Sequence, residues 1–364
     1  MKISEVCKYI ETFAPPSLQE SYDNVGLIVG NPDAEVTNVL IALDVTETVV
    51  NEAIAKNANL IVAHHPVIFK GLKRITGKTY TERTVILAIK HDIAIFAAHT
   101  NLDSILGGVN TKIAQKLGLQ QVKSLSPAAG ILNKIVVFVP QNSADNVRQA
   151  MFDAGAGHIG NYDNCSYNTE GFGTFRGNEN ANQFVGTPGE LHREPEVKIE
   201  TIVPNYLTDK VIARMTEAHP YEEVAYDVYA LQNSFANVGT GIIGELSVPM
   251  SETDFMLFLK KTFQVPVIRH TELLGKSIKK VALCGGSCSF MLNNAIRSGA
   301  DVYISADFKY HEFFDADGKI LITDIGHFES EHYTKEIFYE ILSKKFHTFA
   351  SYLSEINTNP IKYF

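Results

Sequence analysis

The chain alternates short, continuously apolar runs with segments whose apolar residues recur at helical spacing. Residues 39–43, 60–63, 93–97 and 281–283 are uninterrupted apolar stretches of strand length, as in parallel strands covered on both faces. Near the start, Ile3, Val6, Ile10 and Phe13 are separated by Glu5, Lys8 and Glu11. That spacing predicts an amphipathic helix over 1–13; a secretory leader needs an unbroken apolar stretch. No run approaches the roughly 18 apolar residues of a membrane span.

Comparing the chain with itself extends this pattern. Residues 39–65 align without gaps on 281–307, placing Val39 on Val281, Asn51 on Asn293, Ala53 on Ala295 and Ala58 on Ala300. Both copies read strand, turn, helix, strand. A second repeat aligns 134–154 with 198–218, matching Lys134/Lys198, Val139/Val203, Pro140/Pro204, Asp145/Asp209 and Met151/Met215. With strands expected at 166–176 and 224–231, its order is β-α-β-β-α-β, the ferredoxin-like plan. The expected fold is therefore α/β, two related halves forming one core (1–129 and 234–364). An inserted ferredoxin-like α+β domain (130–233) interrupts it. Residues 177–196 are polar and without period, which predicts a long mobile loop.

Composition narrows the classes of partner. A net charge of −9 with no block of lysine or arginine argues against nucleic acid and against anionic membrane surfaces. The four cysteines, Cys7, Cys165, Cys284 and Cys288, are too few and scattered for a disulfide framework. The expected setting is cytoplasmic, with reduced thiols.

The chemistry gathers at strand ends. The run at 60–63 delivers His64 and His65, sealed by Pro66; the run ending at Ala98 delivers His99 and, four residues on, Asp103. Near the C-terminus the run from Leu321 is followed by His327 and Glu331 at the same spacing. Positions i and i+4 share a face of one helical turn, and ligands of open α/β sheets bind beyond the carboxyl ends of strands. Neutral imidazoles with carboxylates suit zinc, iron or manganese. His64, His65, Asp103, His327 and Glu331 exceed the three protein ligands of one catalytic ion, so a pair of divalent ions is expected. Asp103 and Glu331 are the natural bridges. His99 is a sixth ligand candidate or a proton carrier, since histidine titrates near neutrality. Asp307 is expected to support a ligand from behind. His91, His158 and His311 read as ordinary core or surface residues. The glycine turns at Gly107-Gly108 and Gly285-Gly286 are candidate anion cradles at helix starts.

The stretches Ser21-Tyr22-Asp23-Asn24-Val25-Gly26-Leu27, Ile61-Val62-Ala63-His64-His65-Pro66, Ala98-His99-Thr100-Asn101-Leu102-Asp103 and Ile325-Gly326-His327-Phe328-Glu329-Ser330-Glu331 resemble the GTP cyclohydrolase I type 2 homologues, also called the NIF-three-like family. Gly171-Phe172-Gly173-Thr174-Phe175 and His219-Pro220-Tyr221-Glu222-Glu223 resemble the PII/CutA-like insert of its longer bacterial members. Tyr22 stands where many members carry Trp. The resemblance implies a dinuclear centre, zinc foremost, on the five ligands named above. It also implies a homohexameric ring and opening of the GTP imidazole ring with release of formate. The expected function is thus a metal-dependent hydrolase of a nucleotide-like substrate. The alternative is a non-catalytic metal-binding regulator or metal-delivery protein.

Overall fold

Helix α1 (Ile3–Phe13) forms where the period predicts it and buries Ile3, Val6, Cys7 and Ile10. Then come β1 (Gly26–Val29), β2 (Val39–Ala42), α2 (Glu47–Ala55), β3 (Leu60–Ala63), α3 (Tyr80–Lys90), β4 (Ala94–Ala97), the single turn α4 (Thr100–Asp103), α5 (Val109–Lys116) and β5 (Gln120–Ala129). Every residue of β2, β3 and β4 is buried, as their unbroken apolar character requires. Thr46 and Thr79 cap α2 and α3 through their side chains, accepting from Val49 N and Glu82 N. The middle of the chain carries β6 (Leu132–Pro140), α6 (Ala144–Asp153), β7 (Ser166–Phe175), β8 (His192–Pro204), α7 (Thr208–Ala218) and β9 (Tyr226–Leu231). The rest comprises β10 (Ser234–Ser251), α8 (Glu252–Phe263), β11 (Arg269–His270), β12 (Ser277–Leu283), α9 (Leu292–Arg297), β13 (Val302–Ser305), β14 (Leu321–Asp324), α10 (His327–Glu331), α11 (Thr334–Lys345) and β15 (Ser351–Leu353).

This computed structural model describes all 364 residues, which fall into two units: 1–126 with 237–364, and 127–236. The first unit holds a five-stranded sheet, β1-β4-β3-β2-β15, and a six-stranded sheet, β11-β14-β13-β12-β10-β5. The strands β15, β2, β3 and β4 are parallel, with β1 antiparallel at the edge. Parallel strands β12, β13 and β14 are flanked by antiparallel β11 and β10. The repeat between 39–65 and 281–307 falls on matching elements, with β2 answering β12 and β3 answering β13. The halves also trade edges: β5 joins the second sheet and β15, from the C-terminal end, joins the first.

In the unit 127–236 the strand order is β7-β8-β6-β9, all antiparallel neighbours, the ordering of a ferredoxin-like β-α-β-β-α-β. Val147, Met151, Val211 and Met215 of α6 and α7 pack on Ile135, Val137, Ile199 and Val203. The expected loop 177–196 is shorter than its composition suggests. His192 and Arg193 pair with Phe175 and Thr174, so β8 claims its last residues. No helix is long and apolar enough to cross a membrane.

Candidate metal centre

The parallel strands β3, β4 and β14 run out at one place in the first unit, and each hands over a histidine. His64 and His65 follow β3. His99 precedes α4, whose last residue is Asp103, and His327 and Glu331 open and close α10. Both short helices are the single turns that the i, i+4 spacing predicts. Gly326, at φ +88°, makes the entry to α10; a Cβ there would stand 2.3 Å from Glu329 Oε2.

All six residues converge. Glu331 Oε2 lies 2.9 Å from His65 Nε2, 3.1 Å from His327 Nε2 and 3.9 Å from His64 Nε2. His64 Nε2 is 3.6 Å from Asp103 Oδ1. Donor atoms cluster closely enough to share an ion in three sets: His64, Asp103 and Glu331; His65, His327 and Glu331; and His64, His65 and His99. Glu331 alone among the carboxylates belongs to two sets. His91, His158 and His311 belong to none.

Two buried atoms bear on what the cluster could hold. His64 Nε2 and Asp103 Oδ1 are buried without any hydrogen-bond partner. Polar atoms out of water normally have one, and a cation between them would satisfy both. The donor set therefore fits a divalent metal ion by chemistry as well as by proximity.

Behind each imidazole a fixed acceptor sets its orientation. His64 Nδ1–H donates to the Ala98 carbonyl at 2.9 Å. The Nδ1 atoms of His65, His99 and His327 meet Asp44 at 2.7 Å, Asp23 at 2.8 Å and Asp307 at 2.7 Å. With Nδ1 engaged, each Nε2 turns inward. Asp307 was expected in this role; Asp44 was missed, although its place just beyond β2 is the same strand-end position. It is held in turn by Thr358 from the C-terminal tail. Loss of such a support commonly costs about 10–100-fold in metal affinity, and Asp44→Ala is expected to fall in that range by competition with a chelator. Unchanged affinity would remove Asp44 from the centre.

The glycine turn at 285–286 is not the anion cradle the sequence suggested. Its amides are already taken: Gly285 N–H donates to Asn110 Oδ1 at 2.8 Å, Gly286 N–H to Ser330 Oγ at 3.0 Å, and Cys288 N–H to Ser305 Oγ at 3.3 Å. Gly107 N–H likewise donates to Thr111 Oγ1 at 2.8 Å. The turn serves the centre by being small, because a Cβ on Gly286 would come within 2.3 Å of Glu331 Oε1. Cys284 and Cys288, expected as separate thiols, lie close together across the turn, with their Cα atoms 6.0 Å apart. Cys7 and Cys165 are free.

Without metal, the surroundings sort the protons. Burial pushes His64 down to about 3, with Glu331 opposing and His65 and His99 adding to the drop. Burial also works against a charged His65, yet its bonds to Asp44 and Glu331 raise it to about 10. His327 is raised to about 11 against the same burial by Glu331 and Asp307. Burial and the charge of Glu331 hold Asp103 above the usual carboxylate range. Glu331 stays below that range because His327 and His65 outweigh its burial.

The signs give a pH profile. His65 and His327 contribute stability that is complete below the unfolded histidine value near ~6.5 and is lost as pH rises through about 10 and about 11. His64 contributes stability present above ~6.5 and lost as pH falls toward about 3. Asp103, held above the carboxylate range, likewise loses stability as pH rises, so thermal melts of chelator-stripped protein are expected to decline as pH rises above ~6.5. The Tm gain on adding zinc is expected to grow with pH, since the metal must displace protons from His65 and His327. A metal-free Tm that climbs steadily to alkaline pH would contradict this arrangement.

A cavity of about 250 Å³ opens on the cluster, lined by Tyr22, Phe69, His99, Asp103, His327 and Glu331 among others. Tyr22 and Phe69 flank its mouth with ring centroids 6.1 Å apart, and Phe69 lies 6.0 Å from His99.

Fold and cluster together define an α/β protein with a histidine–carboxylate centre able to bind metal. Comparison with known proteins places it further. Residues 1–360 match the model of the Duf34/NIF3 (NGG1p interacting factor 3) family, and the chain belongs to that family. A Halalkalibacterium halodurans protein named GTP cyclohydrolase 1 type 2 homolog is 45% identical over 333 residues, covering 90% of this chain and 89% of the relative. A Bacillus subtilis protein of the same name is 37% identical over 368 residues, covering 99% of this chain and 98% of its own. The crystal structure of a Bacillus cereus protein related to NIF3 superposes with a TM-score of 0.89 at 41% identity, covering 100% of this chain and 99% of that one.

Proposed function

We propose that the chain is a two-metal hydrolase of a nucleotide-like substrate, with opening of the GTP imidazole ring and release of formate as the named candidate. The observation that carries this reading is the pair of unpartnered buried atoms, His64 Nε2 and Asp103 Oδ1, beside two further histidines that share Glu331. His64, Asp103 and Glu331 would hold one ion and His65, His327 and Glu331 the other. Zinc is the favoured metal for this donor set. Bound divalent ions would supply Lewis acidity and lower the pKa of water.

The chain's own groups supply the rest. Tyr22 and Phe69 present aromatic faces at the mouth, suited to stacking a purine. His99, oriented through Nδ1 by Asp23, offers Nε2 to carry the proton lost by the attacking water or gained by the departing nitrogen. Water added at C8 of the purine opens the ring, and a second hydrolysis frees formate. The homohexameric ring expected of such proteins belongs to this reading. The names of the curated relatives support the choice of GTP.

The test is formate release from GTP by zinc-loaded protein. Release that requires the metal supports the reading. No release from GTP or from a panel of other nucleotides, with metal fully bound, would favour a carrier or regulator instead.

A further inference from the structure

We propose that the unit 127–236 carries a second binding site, for a small organic cation, on the face of its sheet opposite α6 and α7. The register of β6, β7 and β8 sets Phe138, Lys198, Thr169, Glu196 and Gly171 on that face. A cavity of about 650 Å³ lies over it, walled by Phe138, Phe172, Phe175, Phe184 and Tyr221, with Glu196 at its floor. Small-molecule sites commonly span roughly 300–1,000 Å³ and are lined largely by aromatic and apolar groups.

Glu196 decides the chemistry of the ligand. The residue is only 8% exposed, and its carboxylate receives a single hydrogen bond, from the Tyr221 hydroxyl to Oε1 at 3.0 Å. No cation of the chain pairs with it. Lys198, its neighbour along the strand, is engaged with Glu200 at 3.2 Å. Glu196 Oε2 has no hydrogen-bond partner in the chain, and Glu196 lines the cavity, so an entering cation would supply the missing counter-charge. Its room is made by Gly173, where a Cβ would stand 2.1 Å from Glu196 Oε2. Aromatic rings around a carboxylate are the surroundings that favour an organic cation. The wider lining agrees: Glu170, Glu222 and Glu223 outnumber Arg176 and Lys198, which disfavours phosphates. The ligand class is thus a protonated amine or amidinium on a flat, apolar body.

The probes are benzamidine, neutral benzamide and anionic benzoate, titrated calorimetrically into the full-length, metal-loaded protein in its native assembly. Benzamidine is expected to bind, and the other two at least about tenfold more weakly, the usual value of a charge-assisted hydrogen bond. Glu196→Gln should weaken benzamidine by about tenfold or more while leaving bound metal unchanged. Phe184→Ala, outside the sheet, should weaken it too and covers the case in which the Glu196 variant does not fold. Equal binding of the three probes, benzamidine binding indifferent to both substitutions, or no benzamidine binding at all (another copy filling the cavity included) overturns the proposal.

Discussion

Replacing Glu331 with alanine is expected to empty the centre. Glu331 is 3% exposed in its side chain, and one oxygen faces His65 and His327 within hydrogen-bond range, with His64 beyond. Glu331 is the carboxylate common to two donor sets, so on the proposed two-ion reading its loss would remove a ligand from both ions at once. Since an outer-shell partner alone is commonly worth about 10–100-fold in affinity, the direct shared ligand should cost more than about 100-fold. The metal-free variant should also be less stable, because His65 and His327 each lose one of two carboxylate partners and keep only Asp44 and Asp307. Chelator competition and denaturant unfolding read the two effects separately. A variant that loses one ion and keeps the other tightly would show that Glu331 does not bridge.

His99→Ala is expected to leave metal content unchanged and to lower kcat for formate release by about 10²–10⁴-fold, the usual weight of a positioned general acid–base. Its link to Asp23 supports this assignment, because Asp23 also accepts from the Thr100 backbone N–H at 3.0 Å and so fixes the imidazole against the start of α4. Asp23→Asn, which keeps the shape and removes the charge, should produce a smaller loss in kcat with KM little changed. Loss of metal in His99→Ala would instead make His99 a ligand, consistent with its place in the set with His64 and His65.

How much of this was legible beforehand depended on range along the chain. The candidate ligands stand out because each follows a buried strand, and because His99–Asp103 and His327–Glu331 repeat one helical spacing. The two internal repeats likewise located β2, α2 and β3 against β12, α9 and β13, and β6 with α6 against β8 with α7. What stayed hidden depends on partners distant in sequence. Asp44 is a single acid after a strand until His65 and Thr358 are seen against it. The Gly285–Gly286 turn looks like an anion cradle until Asn110 and Ser330 are found on its amides. Strand β15 is three residues long, too short for any period, yet it completes the first sheet beside β2. Strand β10, at 18 residues, mixes buried and exposed positions without clean alternation, since it runs between two different neighbours.

The central claim is a pair of metal ions sharing one set of ligands, and elemental analysis of tag-free protein tests it most directly. Wild type should carry close to two divalent ions per chain, with the count falling in both Asp103→Ala and Glu331→Ala. One ion or none in wild type, unchanged by either substitution, would contradict the shared centre and the hydrolase reading built on it.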